Sequence, residues 1–166
     1  GAMPQNYWGQ LGRDLSAGIE VFWTGNEVCS EAISVQDVER INAELGRKVT
    51  LWDNYPVNDG AKLSRFLHLE PFLGREALQA HSAGHLANPM NQSFLSRLSI
   101  ATMSGIYGDC SDQRTQSARQ YRRWNAAAKV ALGEDLYTQL SSDLNLFQHQ
   151  TPQRKLQCFP LRKYRR

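Results

Sequence analysis

Apolar and polar positions follow two rhythms along this chain, and the switches between them lay out its elements. Gly18-Ile19-Glu20-Val21-Phe22-Trp23-Thr24-Gly25 is apolar nearly throughout and bounded by glycines. Such a run predicts a strand covered on both faces. Ser34-Val35-Gln36-Asp37 then predicts a helix start, with Ser34 as N-cap and Asp37 favourable in the first turn. Val38, Ile41 and Leu45 supply one apolar stripe, and Gly46 closes the helix. Residues 49–52 read as a second strand. A polar loop follows through Gly60, then a less regular stretch containing Pro71 and Gly74. Residues 81–87 form a third, weaker strand candidate ending at Asn88-Pro89. From 92 to 106 the rhythm is helical, with Phe94, Leu95, Leu98, Ala101 and Met103 available for packing. After a loop at 109–112, residues 115–132 and 134–147 read as two helices broken at Gly133, with Trp124, Ala128 and Leu132 along one face of the first. Beyond Thr151-Pro152 the period is lost.

Strand, helix, strand, irregular connection, strand, helix implies parallel strands joined by crossovers, an α/β fold. The polar clusters sit just after the strand ends: Trp23-Thr24-Gly25, then residues 52–59, then 88–91. One-sided placement of this kind is the habit of α/β folds, where ligands sit at the carboxyl ends of parallel strands. Three strands do not close a barrel. The expectation is therefore a partial (β/α)8 (TIM) barrel of about its last three βα units, followed by helices.

Composition narrows the class. The chain has 166 residues, 41% hydrophobic and 21% charged, enough for an ordinary soluble domain with its own core. No apolar run approaches the roughly 20 residues that span a bilayer. Gly1-Ala2-Met3 reads as a cloning scar, so a missing leader leaves the native location open. Cys29, Cys110 and Cys158 are far apart without CxxC spacing, which fits thiols better than a disulfide frame or a zinc site. His81 and His85 are four apart, but Ala83-Gly84 and the strand-like sequence after them argue against a helical metal-ligand pair. The net charge is +3. Six cations (Arg154, Lys155, Arg162, Lys163, Arg165 and Arg166) fall in the last thirteen residues, so the remainder carries about −3. A solvated basic terminus explains this more simply than a nucleic-acid arm, which would want more interleaved aromatics than Phe159 and Tyr164.

The chemistry concentrates in Trp52-Asp53-Asn54-Tyr55-Pro56-Val57-Asn58-Asp59. Two carboxylates, two carboxamides, an indole and a phenol fall within these eight residues. An indole offers its face to the C–H groups of a sugar ring. An ionised Asp59 makes charge-assisted hydrogen bonds to hydroxyls. The amides of Asn54 and Asn88 donate and accept, matching a hydroxyl or an acetamide. Plainer roles compete with each. Trp52 could be core, Trp23 could be packing as readily as a ligand contact, and Asp53 and Asn58 suit turn caps. Tyr55-Pro56 shapes the loop, and Asn88-Pro89 alone would signal a turn.

The ordered set Val21-Phe22-Trp23-Thr24-Gly25, residues 30–41, residues 52–59 and Leu86-Ala87-Asn88-Pro89 resembles the family 84 glycoside hydrolases. These are β-N-acetylglucosaminidases that include the O-GlcNAc hydrolases and bacterial enzymes often labelled hyaluronidases. The resemblance covers roughly residues 7–103, with a looser echo to about 147. It implies a (β/α)8 catalytic domain followed by a helical region. On that basis residues 4–110 would be the C-terminal portion of the barrel, 111–150 a helical extension and 151–166 a basic, flexible tail. The resemblance gives Trp52 the wall of the sugar pocket and places Asn54 beside the N-acetyl group. It gives Asp59 the hydroxyls far from the scissile bond, with Asn88 adding to the grip.

The family's chemistry uses two neighbouring aspartates and the substrate's own acetamide as nucleophile, unlike the usual pair of protein carboxylates. No Asp-Asp occurs in this chain. The adjacent acids Glu134-Asp135 open a helix, where they favour its dipole. The resemblance thus implies substrate-binding residues with no catalytic pair, no cofactor and no metal. It implies an N-acetylglucosamine-containing glycan or glycoprotein as ligand, and self-association or pairing with the missing N-terminal barrel half. A non-catalytic carbohydrate-binding or scaffold module derived from such an enzyme is the alternative.

Overall fold

A computed structural model describes residues 4–61, 64–107 and 113–149. The chain forms two compact units. The first comprises Gly1–Asn54, Leu73–Asn88 and Ile106–Asp109, the second Tyr55–Phe72, Pro89–Gly105 and Cys110–Arg166. Cys110, Cys158 and the basic C-terminal segment lie outside the described residues.

The first unit holds helix α1 (Tyr7–Asp14), strand β1 (Phe22–Trp23), helix α2 (Val35–Leu45), strand β2 (Thr50–Asp53) and strand β3 (Gly84–Ala87). The three strands make one parallel sheet in the order β1-β2-β3. The register pairs Phe22 with Thr50, Trp23 with Leu51, Trp52 with Leu86 and Asp53 with Ala87. This is the expected α/β arrangement of parallel strands with a helical crossover.

Helix α2 forms as its sequence dictates. The Ser34 hydroxyl accepts the Asp37 N–H at 3.1 Å, and Gly46 ends the helix at φ 68°, a left-handed turn that costs glycine little. Its apolar stripe, Val38, Ile41 and Leu45, is fully buried against Val21, Trp23, Ile33, Val49, Leu51 and Leu78. Trp23 is thus packing, and the alternative of a ligand contact falls away.

Two expectations change. Strand β1 is two residues long rather than eight, and Phe22 in it is exposed, so the run is not covered on both faces. Helix α1 was not expected from the sequence. It packs Trp8 and Leu11, with Leu15 beyond its end, onto the same core. Gly12 makes this possible, because a Cβ there would strike the Leu45 carbonyl. Arg47 then caps the end of α1, donating to the carbonyls of Gly12, Leu15, Ser16 and Ile19 at 2.8–3.0 Å. A cation over terminal helix carbonyls is favourable for both hydrogen bonding and the dipole.

The second unit contains helices α3 (Ser93–Ile100), α4 (Gln113–Leu132), α5 (Glu134–Ser142) and α6 (Leu144–His149). Trp124 and Ala128 are buried with Leu69, Met90, Leu98 and Leu140, and Leu132 packs against them. Gly133, at φ 75°, separates α4 from α5, and Glu134 and Asp135 occupy the first turn of α5. The expected helix over 92–106 is shorter, with a 3-10 turn at Met103–Tyr107 after α3. Polar side chains serve the loop backbone here. Gln120 donates to the carbonyls of Phe72 and Thr102, both at 3.0 Å, and the Trp124 indole donates to that of Leu69.

Leu51 lies in the middle strand with no solvent exposure. Leu51→Ala is expected to lower stability by about 2–5 kcal/mol, read from urea unfolding followed by circular dichroism.

Candidate functional site

Alternation along β2 sends neighbouring residues to opposite faces of the sheet. Leu51 and Asp53 face the buried side, Trp52 and then Asn54 the other. On that other face Phe22 (49% exposed), Trp52 (42%) and Leu86 (48%) form an open apolar strip. Phe22 and Trp52 meet edge to face, ring centroids 5.8 Å apart.

At the carboxyl ends of the strands three expected site residues come together. The Trp52 indole N–H donates to Asn54 Oδ1 at 3.0 Å, and Asn88 Nδ2 donates to the same oxygen at 3.0 Å. Asn54 Nδ2 donates to the Val28 carbonyl at 2.6 Å. These partners fix which way the amide points, since a backbone carbonyl only accepts and an indole N–H only donates. Both lone pairs of Asn54 Oδ1 are engaged. What Asn54 has left is one N–H, while Asn88 keeps its oxygen and one N–H. The sequence allowed either polarity for both amides, and the network selects a donor at Asn54. The fourth expected residue, Asp59, is exposed and belongs to the second unit.

The buried side of the same strand end carries a polar cluster that sequence reasoning missed. Asp53 is not a turn cap. Arg75 grips its carboxylate from Nε to Oδ2 at 2.8 Å and from Nη2 to Oδ1 at 3.0 Å. His85 Nε2 donates to Oδ2 at 3.1 Å, and His85 Nδ1 contacts the Tyr107 hydroxyl. All three charged or ionisable partners of this pairing are nearly devoid of solvent. Burial by itself raises the Asp53 pKa, but the His85 and Arg75 hydrogen bonds and the Arg75 charge outweigh it and leave the carboxyl below its ordinary value. Burial, helped by the Asp53 charge, pushes Tyr107 up to about 12. Tyr107 therefore stays a phenol. In the neutral imidazole its O–H donates to Nδ1 while Nε2–H serves the carboxylate. An acid in the inward register of a strand, between the outward Trp52 and Asn54, was the signal available in the sequence.

Asn58 is likewise no simple turn cap. Within the second unit its buried amide donates to the Phe66 carbonyl and Gln92 Oε1 at 3.0 and 2.8 Å, and accepts the Asn91 N–H at 3.1 Å. Tyr55 does shape its loop, with its hydroxyl donating to the Glu70 carbonyl at 2.7 Å.

The description beta-N-acetylglucosaminidase belongs to a family model that matches residues 1–148. The chain belongs to that family. The match extends beyond the stretch over which the sequence motifs were anchored. The curated relatives Protein O-GlcNAcase of Rattus norvegicus and of Mus musculus are each 33% identical over 102 residues. That alignment covers 61% of this chain but 11% of each relative, so the chain corresponds to a small part of their length. Among solved structures, a mutant of the Thermobaculum terrenum O-GlcNAc hydrolase superposes with a TM-score of 0.75 at 33% identity, covering 86% of this chain and 30% of that one. CpGH84B gives a TM-score of 0.63 at 24% identity over 89% of this chain and 24% of that one, a likeness of fold alone.

Among the described residues no cluster of three or more His, Cys, Asp or Glu is arranged to hold a metal ion. Nor is any described helix long and apolar enough to cross a membrane.

Asp53→Asn is expected to cost about 3–5 kcal/mol in urea unfolding, because it leaves the Arg75 charge buried without its counter-ion. A depressed carboxyl pKa contributes stability above the unfolded value, about 3.9, and loses it as pH falls through the folded value. The unmodified protein is therefore expected to weaken below about pH 4, and the Asn variant to show a flatter acid limb in the same titration.

Proposed function

We propose that this chain is the sugar-gripping C-terminal part of a β-N-acetylglucosaminidase catalytic domain, acting on an N-acetylglucosamine-bearing glycan or glycoprotein. The observation that carries the reading is the Trp52–Asn54–Asn88 network at the carboxyl end of a parallel sheet. It combines an exposed indole face, a fixed amide donor and a second amide with a spare acceptor. A pyranose ring and its acetamide call for that set of groups. The resemblance adds Asp59 as the acceptor for hydroxyls far from the scissile bond, its charge making each hydrogen bond stronger.

On this reading the sheet is the last three strands of a (β/α)8 barrel and the chain carries no catalytic residue. The family's chemistry requires an adjacent aspartate pair, one to orient and polarise the acetamide and one to protonate the leaving oxygen. No such pair occurs in these 166 residues. The strip of Phe22, Trp52 and Leu86 supports the companion proposal that the sheet is completed by further strands, from a second copy or from a chain carrying the rest of the barrel.

A second reading, a binding or scaffold module descended from such an enzyme, shares the same grip. The gene separates the two, since an upstream Asp-Asp strand in the same reading frame belongs to the enzyme.

The isolated chain is expected to leave a chromogenic N-acetylglucosaminide uncleaved, and robust turnover by the pure protein would overturn the reading. Asp59→Ala is expected to weaken N-acetylglucosamine binding at least ten-fold, in line with about 1.5–3 kcal/mol for charged hydrogen bonds, as followed by Trp fluorescence titration. Light scattering is expected to report a species larger than a monomer.

A further inference from the structure

Asn54 owes its orientation to a carbonyl from another loop. Val28 lies in the connection after β1, and its carbonyl is the acceptor that turns the Asn54 amide so that Oδ1 faces Trp52 and Asn88. Val28 itself is exposed, so its side chain adds little to holding the loop. Local contacts shape the loop: Glu27 N–H and carbonyl both bond to the Ser30 hydroxyl, and Thr24 reaches the Glu27 carbonyl at 3.0 Å. These bonds fold the loop on itself, and Asn26 ties it to Asp37 and Arg40 of α2 at 2.8 and 2.7 Å, but none of them reaches β2.

Arg75 makes that attachment from the buried side. Its Nη2 donates to the Ser30 carbonyl at 2.7 Å and its Nη1 to those of Glu31 and Leu73, the latter at 3.0 Å. The two remaining N–H groups hold the Asp53 carboxylate. Five donors meet five acceptors, and the planar fork spans three stretches of chain at once. Asp53 precedes Asn54 in sequence, and Ser30 follows Val28 by two residues.

We propose that Arg75 is a positioning residue for the sugar-facing amides. By clamping the Ser30–Glu31 backbone to Asp53, it sets the Val28 carbonyl at the distance that holds Asn54 as a donor. Arg75 touches no ligand and acts through Val28 and Asn54. The inference rests on the reading of Asn54 as a sugar contact, yet its test involves no sugar.

Lysine keeps the charge beside Asp53 but offers donors from a single point, and so cannot bridge to the loop carbonyls. In 15N-labelled full chain, Arg75→Lys is expected to speed exchange of the Asn54 Nδ2 protons at least ten-fold and to shift the Trp52 indole N–H. The amide signals of Ile41 and Leu51 should stay in place, which separates a local change from general loosening. Should the lysine variant fail to fold, Arg75→Met with Asp53→Leu removes both buried charges together, a change cores tolerate, and the same loss is expected. Unchanged Asn54 and Trp52 signals in either folded variant overturn the proposal. Absence of sugar binding by the chain would count against the proposed function and leave these outcomes as they stand.

Discussion

Asp53 and Arg75 lie in a region nearly closed to water, and several parts of the first unit converge on that ion pair. A buried charge is tolerated only when its partner and its remaining hydrogen-bond capacity are both supplied. Here the carboxylate takes three donors and the guanidinium finds an acceptor for each N–H. The requirement is strict, and it draws the loop after β1, the end of β2, the segment before Arg75 and strand β3 to one point. Leaving any of these groups unpaired would cost more than most single packing contacts provide.

The two faces of β2 divide the labour by the simplest property of a strand. Successive side chains point to opposite sides, so Asp53 is committed to the buried cluster while Trp52 and Asn54 are committed to the open face. The open face is correspondingly under-dressed. An indole, a phenylalanine and a leucine remain half in water, and the amides finish one another's hydrogen bonds. Polarity at Asn54 is settled by partners that can act in one sense only, the Val28 carbonyl and the Trp52 indole N–H. A site built this way presents a directed donor rather than an adaptable amide.

In the second unit, side chains do for irregular backbone what ladders do for strands. Gln120, Trp124, Gln148 and Asn58 each bond to main-chain groups of the stretch 66–72. Buried backbone polar groups must find partners, and a loop without regular structure takes them from neighbouring side chains. Such residues look like ordinary helix surface or turn residues in the sequence, because the bonds they make are long-range.

Local chemistry, by contrast, was legible at the ends and buried stripes of the later helices. Ser34, Asp37 and Gly46 bracket α2, Gly133 parts α4 from α5, and Trp124 and Ala128 lie on the buried stripe, as period and capping rules require. The parallel α/β arrangement and the family also followed from the order of elements and motifs. Strand β1 proved shorter than its apolar run because apolarity marks burial or exposure to a partner equally well. Helix α1 was overlooked because its stripe is short and its stability comes from Arg47 and from the close approach of Gly12 to Leu45, partners distant from it in sequence. Asp53 read as a turn cap, and Arg75, His85 and Tyr107 each carry a polar group that a sequence leaves unassigned. Only the fold brings residues 53, 75, 85 and 107 within hydrogen-bonding reach, and the cost of burying a lone charge is what makes their meeting necessary.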